Sequence, residues 1–245
     1  MISETRLAIN SFFRAHRCLL DNKLLRYLVI PGVLSFIYIT CMVMVGYAYF
    51  DVLSAYIQIN FVPEFLQGTV SSVITTILLW IILILLMMLS YKHIILVIIS
   101  PQLVLLSEKV CYFEFGKPAP DFSLKQMFRD LRRGLGINLV FLGKSLLYSC
   151  LVLPVLLLPF LGPLIFTVLI FFIQSFYSGA GVIDYSLERD KLNVRQSTSF
   201  LRKHRAAVTV LGAGFNLILF IPVVGWIFAP AYATAAAAIT AELLD

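Results

Sequence analysis

Two cations three residues apart, Lys23 and Arg26, stand in NKLLRYLVIPG (22–32), where a long apolar run begins. At the start of a helix the first backbone N–H groups lack partners and the dipole end is positive. Those N–H groups, here of residues 24–26, and two cations form an anion site. The alternative is that both side chains snorkel to the membrane surface as anchors. Glu108, beside Lys109 in SPQLVLLSEKV (100–110), marks the end of another apolar stretch, where it pairs with neighbours or simply closes a helix. Asp184 and Arg189 follow Ser178, Gly179, Ala180 and Gly181 in SGAGVIDYSLERDKL (178–192). Small residues let helices approach closely. Asp184 and Arg189 then read as a structural ion pair or cap, or as part of a gate. With Glu108 they are the ionisable candidates for a pathway.

Catalytic chemistry has no comparable foothold. His16, His93 and His204 are scattered without metal-ligand neighbours, so no metal is expected. There is no phosphate loop, no G-x-S-x-G and no H-E-x-x-H. GLGINLVFLG (134–143) is glycine-rich but follows an amphipathic helical pattern rather than a strand. Cys18, Cys41, Cys111 and Cys150 form no C-x-x-C pair and read as buried or lipid-facing thiols. The expectation is a protein that is not an enzyme and needs no cofactor.

The elements that must position these residues are membrane elements. The chain is 60% hydrophobic and 13% charged, against about a half and a quarter in soluble domains. Its net charge of +6 flanks apolar segments, so topology and anionic headgroups account for it better than nucleic acid does. Arg6, Arg14, Arg17, Lys23 and Arg26 precede a long apolar run, not the short one of a cleavable signal.

The reading is a single all-α integral membrane domain. Residues 1–23 form an amphipathic surface helix, with Ile9, Phe12, Phe13, His16 and Leu20 at helical spacing. Residues 27–50 and 69–91 are long enough to cross a core of about 30 Å, with 51–68 as the loop between them. Pro101 is expected to kink or end the pattern continuing through 93–110. GKPAPD (116–121) is a linker. Leu124, Met127, Phe128, Leu131 and Leu135 then share a helical face, with Asp121 or Ser123 as the cap.

All 19 Lys and Arg residues fall in 1–26, 92–144 or 189–205, and none in 51–68. The positive-inside rule puts the N-terminus and both later basic blocks in the cytoplasm. The uncharged runs 145–183 and 206–241 therefore leave and return on one side. From Ser145 to Leu158 a helix rises only about 21 Å, and Pro154, Pro159 and Pro163 break it. Each run fits a re-entrant hairpin that penetrates half the bilayer. The second break, IPVVGW (221–226), repeats the Pro-x-x-Gly of Pro159 and Gly162 at Pro222 and Gly225. The alternative is two short tilted crossings per run, six spans in all. Irregular backbone at mid-membrane depth must be covered by protein or face water, which implies a homo-oligomer or a water-filled path.

Across about residues 5–240 the sequence resembles the CysZ family of bacterial sulfate permeases, which shares a superfamily with the etoposide-induced membrane proteins. The likeness rests on LLRYLVIPG, SPQLVLLSEKV and above all FYSGAGVIDYSLERDKLNVRQSTSFLRKHRAAVTVLGAGFNLILFIPVVGWIFAPAYATAAA. It implies two full transmembrane helices and two hemi-penetrating hairpins in a homo-oligomer of the bacterial inner membrane. It also implies sulfate uptake for cysteine synthesis without nucleotide hydrolysis. The family's Gly-Leu-Arg sulfate motif corresponds to Leu24, Leu25 and Arg26, with Leu24 where the family has Gly. Glycine permits close backbone approach and positive φ. The resemblance also allows a different class of function, a non-transporting membrane scaffold or lipid-interacting protein.

Overall fold

The computed structural model describes residues 2–244 apart from 118–123, 159–160, 191 and 222–223. It gives the backbone alone at 30–31, 85–86, 88–97, 124–131 and 135. The proposed cap at Asp121 or Ser123, most of GKPAPD and the face formed by Leu124, Met127, Phe128, Leu131 and Leu135 lie outside the described residues or side chains.

Every regular element among the described residues is helical. In order they are α1 (Ile2–Asp21), α2 (Val29–Phe61), α3 (Thr69–Phe115), α4 (Leu124–Val152), α5 (Gly162–Arg189), α6 (Val194–Lys203), α7 (Arg205–Leu219) and α8 (Val224–Leu244). Short 3-10 helices at Leu24–Leu28, Glu64–Leu66 and Leu153–Leu157 precede α2, α3 and α5. The helices Leu24–Phe61, Arg132–Leu157, Gly162–Arg189 and Val224–Leu244 are long and apolar enough to cross a bilayer.

The chain divides into two compact units, Val33–Ile95 and the remainder. The smaller unit is an antiparallel pair made from α2 and the first half of α3. A Cβ on Gly46 would meet the Trp80 ring, and Tyr47 and Phe50 set their rings edge-on to that indole at 5.3 and 4.9 Å. Tyr38 donates to the Met87 carbonyl at 3.3 Å. At the turn end, Gln58 bonds Thr75 at 2.7 Å and Ser71 bonds Gln58 at 2.7 Å. Polar side chains gather where apolar burial gives out.

In the larger unit α5 packs against α4, α7 and α8. Residues 178–188 of α5 are buried, and α8 buries a run of alanines, Ala235–Ala238. Alanine on α8 and Ala8, Ser11 and Ala15 on α1 let these helices approach closely. The apolar stripe of α1 points elsewhere: Ile9, Phe13 and Leu20 stay exposed.

The two breaks share one construction. In the first, Leu158 N–H donates to Val155 and Gly162 N–H to Leu158, at 3.1 and 3.0 Å. In the second, Ile221 N–H donates to Ile218 and Gly225 N–H to Ile221, at 3.0 and 2.8 Å. A Cβ on Gly162 would strike the Val155 carbonyl, and one on Gly225 the Ile218 carbonyl. Every pairing recurs at one constant offset along the chain, so the hydrogen bonding around Gly162 is repeated around Gly225. Glycine is required there by steric closeness.

Three expectations change. Helix α2 continues to Phe61, so the loop expected over 51–68 shrinks to 62–68. Pro101 lies inside α3, so of the kink or end expected there the end is excluded; membrane helices tolerate proline where neighbouring groups re-satisfy the freed carbonyl. Helix α4 joins the amphipathic stretch after residue 124 to the first hairpin arm without a break. Gly134, Gly136 and Gly143 weaken a helix but do not end one. The arm counted from Ser145 therefore belongs to a longer helix.

Candidate functional site

The corner between α1 and α2 is built from its own capping groups. Asn22 closes α1 by donating its side-chain amide to the Cys18 carbonyl at 3.0 Å, and Lys23 N–H bonds Leu20 at 3.2 Å. Lys23 then takes a left-handed conformation, φ 54° and ψ 31°, at a cost of about 1–2 kcal/mol. The chain turns into the 3-10 helix, and Leu24 and Leu28 plug it into the protein, at 1% and 7% exposure. Positive φ thus falls at Lys23, not at position 24. A leucine fits at 24 because the backbone there is ordinary and the side chain is needed as an anchor.

The two cations are left facing outward. Lys23 and Arg26 are exposed, and the Arg26 guanidinium lies over the Tyr27 ring at 5.6 Å. Among the described residues neither has an ion-pair partner. Gln102, one residue after Pro101 on α3, donates to the Tyr27 carbonyl at 2.6 Å. That bond ties the Arg26 turn to α3 across 75 residues of sequence. Leu25 is half-buried beside it.

Asp184 and Arg189 lie apart from that corner, in two separate clusters. Asp184 is 1% exposed and receives both terminal nitrogens of Arg133 at 3.3 Å. Arg133 also donates to Ser197 at 2.9 Å and approaches Glu188 at 3.7 Å, joining α4, α5 and α6. Arg189 bonds Glu242 at 2.5 Å and Asp190 at 2.9 Å and touches the Cys111 sulfur. Lys117 pairs with Glu242 as well; this hydrogen bond raises the lysine's pKa. Glu108, half-buried on α3, also has a partner. Asp184 and Arg189 do not pair with each other; each is fixed by a residue from a distant helix.

Sequence reasoning missed Arg133, Glu242 and Gln102. Arg133 lies 51 residues from Asp184 and Glu242 lies 53 from Arg189, with no periodic pattern to link them. Gln102 carried a signal, a lone amide in the apolar run 93–106.

Burial raises the thiol pKa of Cys18 to about 11. It raises that of Cys111 to about 12 against the lowering pull of Arg189. Raised by burial, both have the character of structural rather than reactive cysteines. Among the described residues no group of His, Cys, Asp and Glu is arranged to hold a metal.

A family model described as sulfate transporter CysZ/etoposide-induced protein 2.4 matches residues 11–230. No curated protein matches the chain.

Proposed function

The chain belongs to the sulfate transporter CysZ/etoposide-induced protein 2.4 family, and from that membership we propose that it is a permease passing sulfate or a similar small anion down its gradient. Taking a dianion out of water is costly unless donors or cations replace its hydration. The observation that carries the reading is the Arg26 corner. Two exposed cations without ion-pair partners among the described residues stand on a turn that Leu24 and Gln102 hold in place. Arg26, helped by Lys23 and the N–H groups of Leu24, Leu25 and Arg26, binds the anion at the cytoplasmic face. Glu108, Asp184 and Arg189 are the ionisable groups beside its path. The pairs Asp184–Arg133 and Arg189–Glu242 favour fixed charges over groups that let go in each cycle.

The proposed topology is an N-terminus in the cytoplasm of a bacterial cell, two full crossings and two half-depth hairpins, in a homo-oligomer supplying sulfate for cysteine synthesis. Burial supports half depth. The C-terminal half of α5 is enclosed by protein and carries Asp184 and Glu188, so only its first half is free to meet lipid. Gly162–Tyr177 rises about 24 Å, Arg205–Leu219 about 22 Å and Lys144–Leu157 about 21 Å. These three fall short of a core of about 30 Å; α8, at about 31 Å, does not, but protein buries most of it.

A second reading, a lipid-gripping scaffold, is favoured by the hairpin tips. Leu157, Leu158, Leu161, Phe220 and Ile221 are all more than half exposed, an apolar surface among the described residues. Radiolabelled sulfate flux into proteoliposomes, wild type against Arg26→Ala, with phosphate and chloride as competitors, decides between them. Sulfate-selective flux lost in Arg26→Ala supports the permease. No flux above empty liposomes from folded protein overturns it.

A further inference from the structure

A cavity of about 490 Å³ opens between α4, α5, α6 and α7, away from the Arg26 corner. Lys144, Arg202 and Arg205 line it together with Phe141, Tyr148 and Tyr177, and among the described residues no acidic one does. Arg205 spends its Nε on the Arg202 carbonyl at 3.2 Å. Among the described residues the three cations have no ion-pair partner.

Lys144 is the unusual member. It sits inside Arg132–Leu157, a stretch apolar enough to cross a bilayer. A cation within such a helix calls for an anionic partner or a path to the surface. The neighbouring α4 residues Leu139, Val140, Leu146, Leu147 and Leu151 are exposed, so the helix presents an apolar flank beside the cavity. The Tyr148 and Tyr177 rings stack at 6.2 Å at the level of the lysine. Tyrosine at that position reads as an interfacial belt, with the cations at headgroup depth.

We propose that this cavity binds the phosphate of an anionic phospholipid, whose glycerol backbone lies against the aromatic wall and whose acyl chains run along the apolar flank of α4. The volume falls within the range of about 300–1,000 Å³ common for small-molecule sites, far more than a bare tetrahedral oxyanion fills. Three cations fit a phosphate diester and its solvent-facing oxygens; the aromatic wall has no use for free sulfate. The cavity shares with the proposed topology the depth of Lys144 but not the identity of the transported anion, so the outcome of flux measurements leaves it untouched.

The test is native mass spectrometry of the full chain in detergent, given equal phosphatidylglycerol and phosphatidylcholine of matched acyl chains. Wild type retains phosphatidylglycerol about tenfold better, a difference of about 1.4 kcal/mol. Lys144→Gln/Arg205→Gln brings the two lipids to parity, and Arg195→Gln, an exposed α6 position outside the lining, keeps the preference. Should the double variant fail to fold by circular dichroism, Thr198→Glu, which puts a carboxylate in the lining, serves in its place and abolishes the preference. Parity in wild type, or a preference unchanged in the folded variants, overturns the proposal. Displacement of the lipid by millimolar phosphate or sulfate also overturns it and makes the cavity a site for the free oxyanion.

Discussion

Gly179 of α5 and Gly212 of α7 face each other where the two helices cross. A Cβ on Gly179 would strike the Val208 carbonyl and the Gly212 nitrogen; one on Gly212 would strike the Ser175 carbonyl and the Gly179 nitrogen. Backbone meets backbone, with no flexible side chain to give way. Ser175 and Gly179, four apart, form the small-residue ridge that membrane helices use for close approach. The contact holds the buried part of α5, which carries Asp184, against the helix that begins at Arg205.

Gly179→Ala and Gly212→Ala are therefore each expected to destabilise the protein by at least the 1–3 kcal/mol typical of overpacking. Gly136→Ala, where a Cβ would meet nothing within 4 Å, is expected to be neutral or slightly stabilising, since alanine is the better helix former. Thermal unfolding in detergent followed by size-exclusion chromatography checks the contrast. Equal melting temperatures for Gly179→Ala and Gly136→Ala would contradict the close crossing.

The pair Arg133 and Asp184 gives a second prediction. Asp184 is almost fully buried and Arg133 is 18% exposed. Removing one member leaves an uncompensated charge and costs about 3–5 kcal/mol. Asp184→Leu is expected to unfold the unit by about that much. Arg133→Met/Asp184→Leu is expected to recover only part of the loss, because the apolar pair removes both charges but also takes the guanidinium from Glu188, 4% exposed and 3.7 Å from it. A double variant that is stable yet conducts no sulfate would move Asp184 from a structural role to the pathway.

What was legible in the sequence follows from how costly each error would be. Lysine and arginine avoid lipid, so their placement reveals where the apolar helices lie. The turn at Gly162 and Gly225 was legible because only glycine fits under the carbonyls of Val155 and Ile218. The backbone at Lys23 was not: the family's glycine points to position 24, yet the left-handed residue is the one before it. Burying Leu24 offsets a conformational cost of only about 1–2 kcal/mol, and an effect that small leaves no mark in residue types. The partners of Asp184 and Arg189 were hidden for another reason. Any of several cations or carboxylates would satisfy them, and only the packing of α4 and α8 selects Arg133 and Glu242.

The thiols make a prediction in pH. Burial raises Cys18 from an ordinary 9.0 to about 11. At pH 9 a free thiol is about half ionised, whereas Cys18, held protonated by burial, is expected to stay largely thiol. In a variant keeping Cys18 as its sole cysteine, maleimide alkylation at pH 9 is expected to run well over tenfold slower folded than in denaturant. The gap should narrow as the pH approaches 11. The sign for stability follows from the raised value: the contribution of the protonated thiol is intact below pH 9 and is lost as the pH rises through about 11. Equal alkylation rates in folded and denatured protein would mean that the packing of α1 does not bury Cys18.

The proposed half depth of the first hairpin can be tested at Leu157, 84% exposed between α4 and α5. The helices on either side, Arg132–Leu157 and Gly162–Arg189, are long enough to cross, so composition alone leaves two geometries. They diverge at the tip. Under the proposed topology Asp184, Glu188 and Arg133 mark the aqueous end of α4 and α5, where protein encloses α5, and the tip is expected to stop inside the bilayer. A full crossing would carry the tip into water on the far side. A nitroxide attached at Leu157→Cys in liposomes distinguishes them by relaxation. Half depth predicts strong broadening by dissolved oxygen, which concentrates in the hydrocarbon, and weak broadening by a water-soluble nickel chelate. The same label at Ile221→Cys should behave alike, because the two turns share their hydrogen bonds and their glycine. Strong nickel broadening at both tips would replace the hairpins with four crossings.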